Sequence, residues 1–160
     1  MSGNAPRIRP AQPADIPALG TLINAAFAIE TFLEGTRTDP QRLAAMLATG
    51  TILLLEDPDG APAASIYTEL RGQAGYVGML AVSPARQSGA LGRRMIHAAE
   101  DHLRRQGCSH IEITVLSLRP ELLAPYRRYG FVEVARQPMA PNRTLAIAQD
   151  CHEIVLRKPL

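Results

Sequence analysis

Residues 78–107 read GMLAVSPARQSGALGRRMIHAAEDHLRRQG, and the fold is decided by how this stretch is read. Residues 79–82 are an apolar run with the length of a buried strand. Ser83-Pro84 ends that strand, because proline has no N–H to give to a ladder. Gln87-Ser88-Gly89-Ala90-Leu91-Gly92 is a loop of mostly small residues. From about residue 91 to 106, Leu91, Met95, Ala98, Ala99 and Leu103 recur on one helical face. Arg93, Arg94, His97, Glu100, Asp101, Arg104 and Arg105 fill the other, and Gly107 stands where a helix commonly ends.

A strand, a small-residue loop and a helix N-terminus together make an anion site. The first helical N–H groups lack intrahelical partners, and the helix dipole adds partial positive charge there. Gly89, Ala90 and Gly92 carry side chains too small to keep a pyrophosphate away. The same residues also describe an ordinary strand-to-helix connection, and on the loop alone both readings stand. No Gly-Lys-Ser/Thr ends the loop, so it is not a P-loop, and the spacing is not G-x-G-x-x-G.

The loop resembles the acyl-CoA signature Q/R-x-x-G-x-G/A of the GNAT N-acetyltransferase superfamily, preceded here by the family-like Val82-Ser83-Pro84. Ala90 stands at the first glycine of that signature, which requires a negative φ at this position. Tyr126-Arg127-Arg128-Tyr129-Gly130-Phe131 is similar to the family's Y-x-x-x-G-F. The resemblance implies an α/β fold: a mixed, mostly antiparallel sheet, two central parallel strands splayed apart, and helices on both faces. It runs over nearly the whole chain, so residues 1–160 are expected to form a single acyl-CoA N-acyltransferase domain.

The activity implied is acetyl transfer from acetyl-CoA, as co-substrate and without a metal, to a primary amine by direct attack. In the roles that the resemblance carries over, backbone N–H groups at Leu80 and Ala81 polarise the thioester carbonyl. Leu80, Ala81 and Val82, with Gln87, Ser88, Gly89, Ala90, Leu91, Gly92 and Arg93, contact the coenzyme. Tyr126 also lies against it and protonates the departing thiolate as general acid. A phenol near pKa 10 does this only slightly uphill of a thiol near 8.5. The plain alternative is that Tyr126 packs its ring in the core beside Tyr129. Ser117 and Arg119 fall where family members often hold the pantetheine arm with an Asn; Arg119 is expected to be solvated or to reach a phosphate.

Two features favour a non-catalytic acyl-CoA-binding sensor instead: Ala90 in place of glycine, and Pro125 directly before Tyr126. A proline in a helix interior costs about 3 kcal/mol. O-acyl transfer to a hydroxyl is a third reading. For the acceptor, a small-molecule or peptide amine, Glu30, Tyr67 and Glu69 are the candidate contacts. These three and Glu34 are the candidate bases beside a water-relayed one. An acidic lining from Glu30, Glu34 and Glu69 would suit a cationic amine. The irregular segments 29–38 and 136–150 are expected to build that pocket.

Composition sets the outer bounds. A chain of 160 residues with 46% hydrophobic and 20% charged residues is globular and large enough to bury a core. A net charge of +2 is too small to argue for nucleic acid. The polar N-terminus and the absence of a long apolar run argue against a leader or a membrane span. Cys108 and Cys151 are isolated, so a cytoplasmic protein with two buried free thiols is expected. His97 and His102 are five apart, the wrong spacing for a shared metal on one helix face. Exposed sheet edges make a homodimer a reasonable expectation.

The remaining chain predicts a strand at 7–9, then helices at 16–28, with Asp15 as N-cap, and from Asp39-Pro40 to Gly50. Strands follow at 51–56 and 63–70, the second with Ile66, Thr68 and Leu70 on one face and Ser65, Tyr67 and Glu69 on the other. After the long helix come an alternating strand at 110–115, a short helix between Pro120 and Gly130, and strands at 131–135 and 151–157. The order is strand, two helices, three strands, helix, strand, helix, two strands.

Overall fold

The computed structural model describes residues 6–86, 90–141 and 143–160. Gln87, Ser88 and Gly89, the first half of the signature loop, lie outside the described residues. The elements follow the expected order: β1 (Arg7–Pro10), α1 (Ile16–Ala26), α2 (Pro40–Thr49), β2 (Thr51–Glu56), β3 (Pro62–Arg71), β4 (Ala74–Val82), α3 (Leu91–Arg105), β5 (His110–Leu116), α4 (Leu123–Arg128), β6 (Val132–Pro138) and β7 (His152–Pro159).

The strands form one seven-stranded sheet in the order β1-β2-β3-β4-β5-β7-β6. Every neighbouring pair is antiparallel except β4–β5. Helices cover both faces, and the two core layers explain the continuous apolar run of β2. Leu53 and Leu55 pack with Met95, Ile96 and Leu103 of α3 and with Tyr126 and Phe131 beyond it. Ile52 and Leu54 pack with Leu19, Leu22 and Ile23 of α1 and Leu43 of α2. A strand buried on both faces reads as unbroken apolar sequence rather than alternation. Each such side chain removed from water contributes about 2 kcal/mol.

Several local expectations are corrected. On β3 both faces are buried from Ala63 to Tyr67, and Thr68 is buried too, so the predicted alternation separates two core layers rather than core from solvent. Leu70, expected on one face with Ile66 and Thr68, is half exposed while those two are buried. Glu100, assigned to the solvated face of α3, is buried and accepts a 2.9 Å hydrogen bond from Lys158 Nζ on β7. Asp15 stands at the N-cap position of α1 but makes no side-chain cap bond there: its carboxylate accepts from the Gln12 N–H one turn earlier and pairs with Arg9. Cys108 is buried as expected, but Cys151 is only half-buried.

Other punctuation behaves as read. Asp39 Oδ1 accepts from the Arg42 N–H at 2.9 Å, with Pro40 opening α2. Gly107 takes φ +88° after α3. Gly50 closes α2, its N–H donating to the Met46 carbonyl, but with φ −156° rather than the left-handed conformation. A Cβ there would stand 2.3 Å from the Thr68 carbonyl oxygen, so close approach of β3 requires the glycine. Among the described residues no helix is long and apolar enough to cross a membrane.

Candidate active site

The site starts from a defect in β4. Against β3, Ala81 pairs with Ser65 and Gly78 with Tyr67, so three steps along β4 match two along β3. Met79 and Leu80 stand where β3 has Ile66 alone, one residue in excess, and Met79 adopts φ +49°, the one non-glycine positive φ among the described residues. This is a β-bulge, which bends the strand and takes residues out of the ladder. On the other side of β4, parallel pairing with β5 covers only Ala74–His110, Gly75–Ile111 and Tyr76–Glu112. Past Tyr76 the two strands part. The bulge therefore lies on the wall of the gap, with the Leu80 main chain released from regular pairing.

A cavity of about 260 Å³ fills that gap. Gly78, Met79, Leu80 and Val82 of β4 line one side, and Ile113 to Leu116 of β5 the other. Gly92 of α3 and Tyr126 of α4 also line it. The Tyr126 ring is buried and held edge-on by Tyr129 at 6.1 Å and Phe131 at 5.7 Å between centroids. Its hydroxyl has no hydrogen-bond partner among the described residues. Burial, reinforced by Tyr129, raises its pKa well above the ordinary phenol value, with Arg119 opposing. A tyrosine so placed is a fixed proton donor throughout the neutral range. The ring is core, as the packing alternative has it, and the residue also lines the cavity.

The helix N-terminus meets the small-residue requirement. Ala90 has φ −79°, so alanine is unstrained at the signature's first glycine. Gly92 has no positive φ, and a Cβ there would find only Leu80 Cδ2, at 3.9 Å. Neither backbone conformation nor packing requires glycine at this place. Room beside the helix end is what the residue provides. Leu91 packs partly against the core, Arg93 is exposed, and Ala81 is fully buried in the layer beneath α1. Ala81 is paired with Ser65 and is not among the residues lining the cavity.

Pro125 is the third residue of α4, within the first turn, where N–H groups have no intrahelical acceptor in any case. Tyr126 follows it as the fourth residue of α4.

The remaining candidates divide. Ser117 is tied to β7, its hydroxyl accepting from the His152 N–H at 3.0 Å. Arg119 lines the cavity but is not solvated: Nη1 donates to Glu30 Oε2 at 2.7 Å and Nε to Glu121 at 2.6 Å. Glu30 is brought into the cavity, paired with Arg119, with its Oε1 buried and unpartnered. Tyr67 is hydrogen-bonded to Thr49 and Glu69 and lines a neighbouring hollow with Tyr76 and Met79. Glu69 faces a separate shallow pocket beside Gly50, and Glu34 an outer hollow. Glu30 and Glu34 share the outer hollow while Glu69 stands apart, so the three do not form one acidic lining.

Two cations that the sequence reading passed over take its place. Arg37 and Arg143 line the same cavity as Leu80 and Tyr126. Arg37 stacks over the Phe27 ring at 5.0 Å, and Asn24 holds the adjoining Thr38 through both its amide N–H and its carbonyl. Arg143 is carried in by a pairing of the two irregular segments. Glu34 N–H donates to the Thr144 carbonyl and Ala146 N–H to the Phe32 carbonyl, around a Leu33–Leu145 bridge. The expectation that these segments build one pocket matches this pairing, yet nothing in the sequence marked which of its many arginines would face inward. Among the described residues no cluster of His, Cys, Asp or Glu could hold a metal ion.

Residues 19–144 match the family model described as an acetyltransferase (GNAT) domain. The chain is 31% identical over 141 residues to glucosamine 6-phosphate N-acetyltransferase 1 of Oryza sativa subsp. japonica, covering 82% of this chain and 84% of that one. Its fold is that of the ribosomal-protein-S18-alanine N-acetyltransferase from Escherichia coli, with TM-score 0.74, 19% identity and 97% and 94% of the two chains covered. It is equally that of a phosphinothricin acetyltransferase from Sinorhizobium meliloti solved with acetyl-CoA, with TM-score 0.75, 15% identity and 98% and 89% covered. The bulged and parted strands, the open helix end and these matches agree: the chain belongs to the GNAT acetyltransferases and is an acetyl-CoA-dependent N-acetyltransferase.

Proposed function

We propose that the gap between β4 and β5 is where the acetyl thioester meets a small primary amine, with Leu80 and Tyr126 as the groups that promote transfer. The observation that carries this reading is a single cavity lined at once by the bulged Leu80 and by Tyr126, reaching to Arg37 and Arg143. Acetyl-CoA supplies the acetyl group as a thioester: the amine nitrogen bonds to the carbonyl carbon, the carbon–sulfur bond breaks, and the amine gives up a proton.

The chain supports this in three ways. The end of α3 at Ala90 to Arg93, with Gln87, Ser88 and Gly89 before it, holds the diphosphate on main-chain N–H groups. The Leu80 N–H meets the carbonyl oxygen as it gains charge, a contribution of about 3 kcal/mol from one fixed donor. Tyr126 gives its proton to the sulfur as the bond breaks, and the proton released by the amine, carried by water, restores the phenol. A cavity of about 260 Å³ suits a small acceptor better than an extended peptide. The relatives' named acceptors include both a sugar phosphate and a ribosomal protein, and the first is the closer model for a cavity of this size.

The features that spoke for a sensor carry no weight at φ −79° for Ala90 and with Pro125 in a first helical turn. Thiol release from acetyl-CoA across a panel of primary amines tests the reading. Turnover that drops tenfold or more in Tyr126→Phe with coenzyme affinity retained is expected. Equal turnover by that variant would remove Tyr126 from the chemistry.

A further inference from the structure

We propose that Arg37 and Arg143 form an anion subsite for the acceptor, so that the amine acetylated here carries an oxyanion, a phosphate or a carboxylate, away from its nitrogen. This rests on the reading that the cavity receives the amine. Both arginines line the cavity that Leu80 and Tyr126 line, and both also line the two hollows that adjoin it.

Neither has an ion-pair partner among the described residues. Of the nearby carboxylates, Glu30 gives Oε2 to Arg119 and keeps Oε1 unpartnered, Asp39 pairs with Arg42, and Glu34 shares the outer hollow without an ion pair to either arginine among the described residues. The Arg37 Nε is buried with no hydrogen-bond partner at all. Burial and then the charge of Arg143 lower the Arg37 pKa to about 10, so it stays cationic at neutral pH. Two guanidinium groups without an ion-pair partner, one with an orphaned donor and opposed by the other's charge more than Glu30 offsets, gain from an anion that joins them. A planar guanidinium presents forked donors that match phosphate or carboxylate oxygens.

The geometry around them is built rather than incidental. Asn24 fixes the main chain at Thr38 with hydrogen bonds of 2.9 and 3.2 Å, and the Phe27 ring supports the Arg37 guanidinium from one side. Arg143 arrives from more than a hundred residues away through the Leu33–Leu145 pairing. Stacking leaves the guanidinium edge free to bind.

Two measurements on the full chain test this. With acetyl-CoA saturating, so that the coenzyme's own phosphate site is filled, calorimetric titration with inorganic phosphate and separately with acetate reads the subsite without turnover. Saturable binding should weaken at least tenfold in Arg143→Gln and in Arg37→Gln and stay unchanged in the surface variant Arg157→Gln. The better ion tells phosphate from carboxylate. Thiol release is then compared over a broad panel of matched amines, such as 2-aminoethyl phosphate against ethanolamine and β-alanine against propylamine. Charged members should show at least tenfold higher kcat/KM, an advantage lost in Arg143→Gln. No ion binding by the native chain, undiminished binding by Arg143→Gln, or neutral amines used as well as charged ones would overturn the subsite. Arginine-dependent ion binding with no turnover on any amine would instead refute the amine-transfer reading, which separates the two failures.

Discussion

Arg119 and Glu30 meet across 89 residues of sequence, Nη1 to Oε2 at 2.7 Å, and in doing so join the segment after α1 to the segment after β5. Both side chains are largely withdrawn from water, at 15% and 7% exposure. Removing one partner of such a pair leaves the other charge buried and uncompensated. Arg119→Ala should therefore destabilise the fold by about 3 kcal/mol, the low end for a broken buried pair. A urea unfolding series reads this directly, and a midpoint unchanged from the native chain would show the pair to be dispensable.

Gly92 separates packing from ligand binding. Alanine fits its conformation and its surroundings, and in a helix alanine is favoured over glycine by about 0.5–1 kcal/mol. Gly92→Ala should keep or slightly raise the melting temperature while weakening acetyl-CoA binding about tenfold. Undiminished affinity in calorimetry would mean that the space beside the helix end is not used by the coenzyme.

The pH dependence follows from the sign of the Tyr126 shift. Its pKa is raised, so the phenol keeps its proton to higher pH than a free tyrosine would. Activity should rise with pH as the acceptor amine loses its proton. No descending limb from loss of the acid should appear below the ordinary phenol value of about 10. A kcat profile that falls between pH 8 and 9, and keeps that fall in Tyr126→Phe, would assign the proton to another group.

Asn24 offers a check on how Arg37 is held. Its side chain touches Thr38 rather than the cavity, so Asn24→Ala should raise the acceptor KM severalfold with kcat little changed. A matching loss of kcat would indicate a disturbance reaching Leu80 or Tyr126 instead.

Much of this was legible in the sequence because its signals are local. Asp39-Pro40 and Gly107 act within a turn of where they stand, and the alternation of β5 or the unbroken apolar run of β2 needs only neighbours. The signature loop and the Y-x-x-x-G-F match placed the helix end and Tyr126. The bulge was not legible, because methionine carries no preference for positive φ; pairing against β3 and the end of pairing with β5 impose it on Met79. Glu100 reads as solvated until Lys158 arrives on β7, and Glu30 as a free carboxylate until Arg119 reaches it. The Arg37–Arg143 pair was hidden for the same reason: its two halves are joined by loops whose hydrogen bonds are main chain to main chain and leave no residue pattern.

The most direct test of the site is the distance from the coenzyme sulfur to Tyr126 Oη in a crystal structure of the chain with CoA bound. The account predicts the pantetheine arm lying between β4 and β5 past Tyr76, with the sulfur within about 3.5 Å of that hydroxyl. A sulfur lying outside the gap, with Tyr126 Oη facing only protein or water, would contradict it.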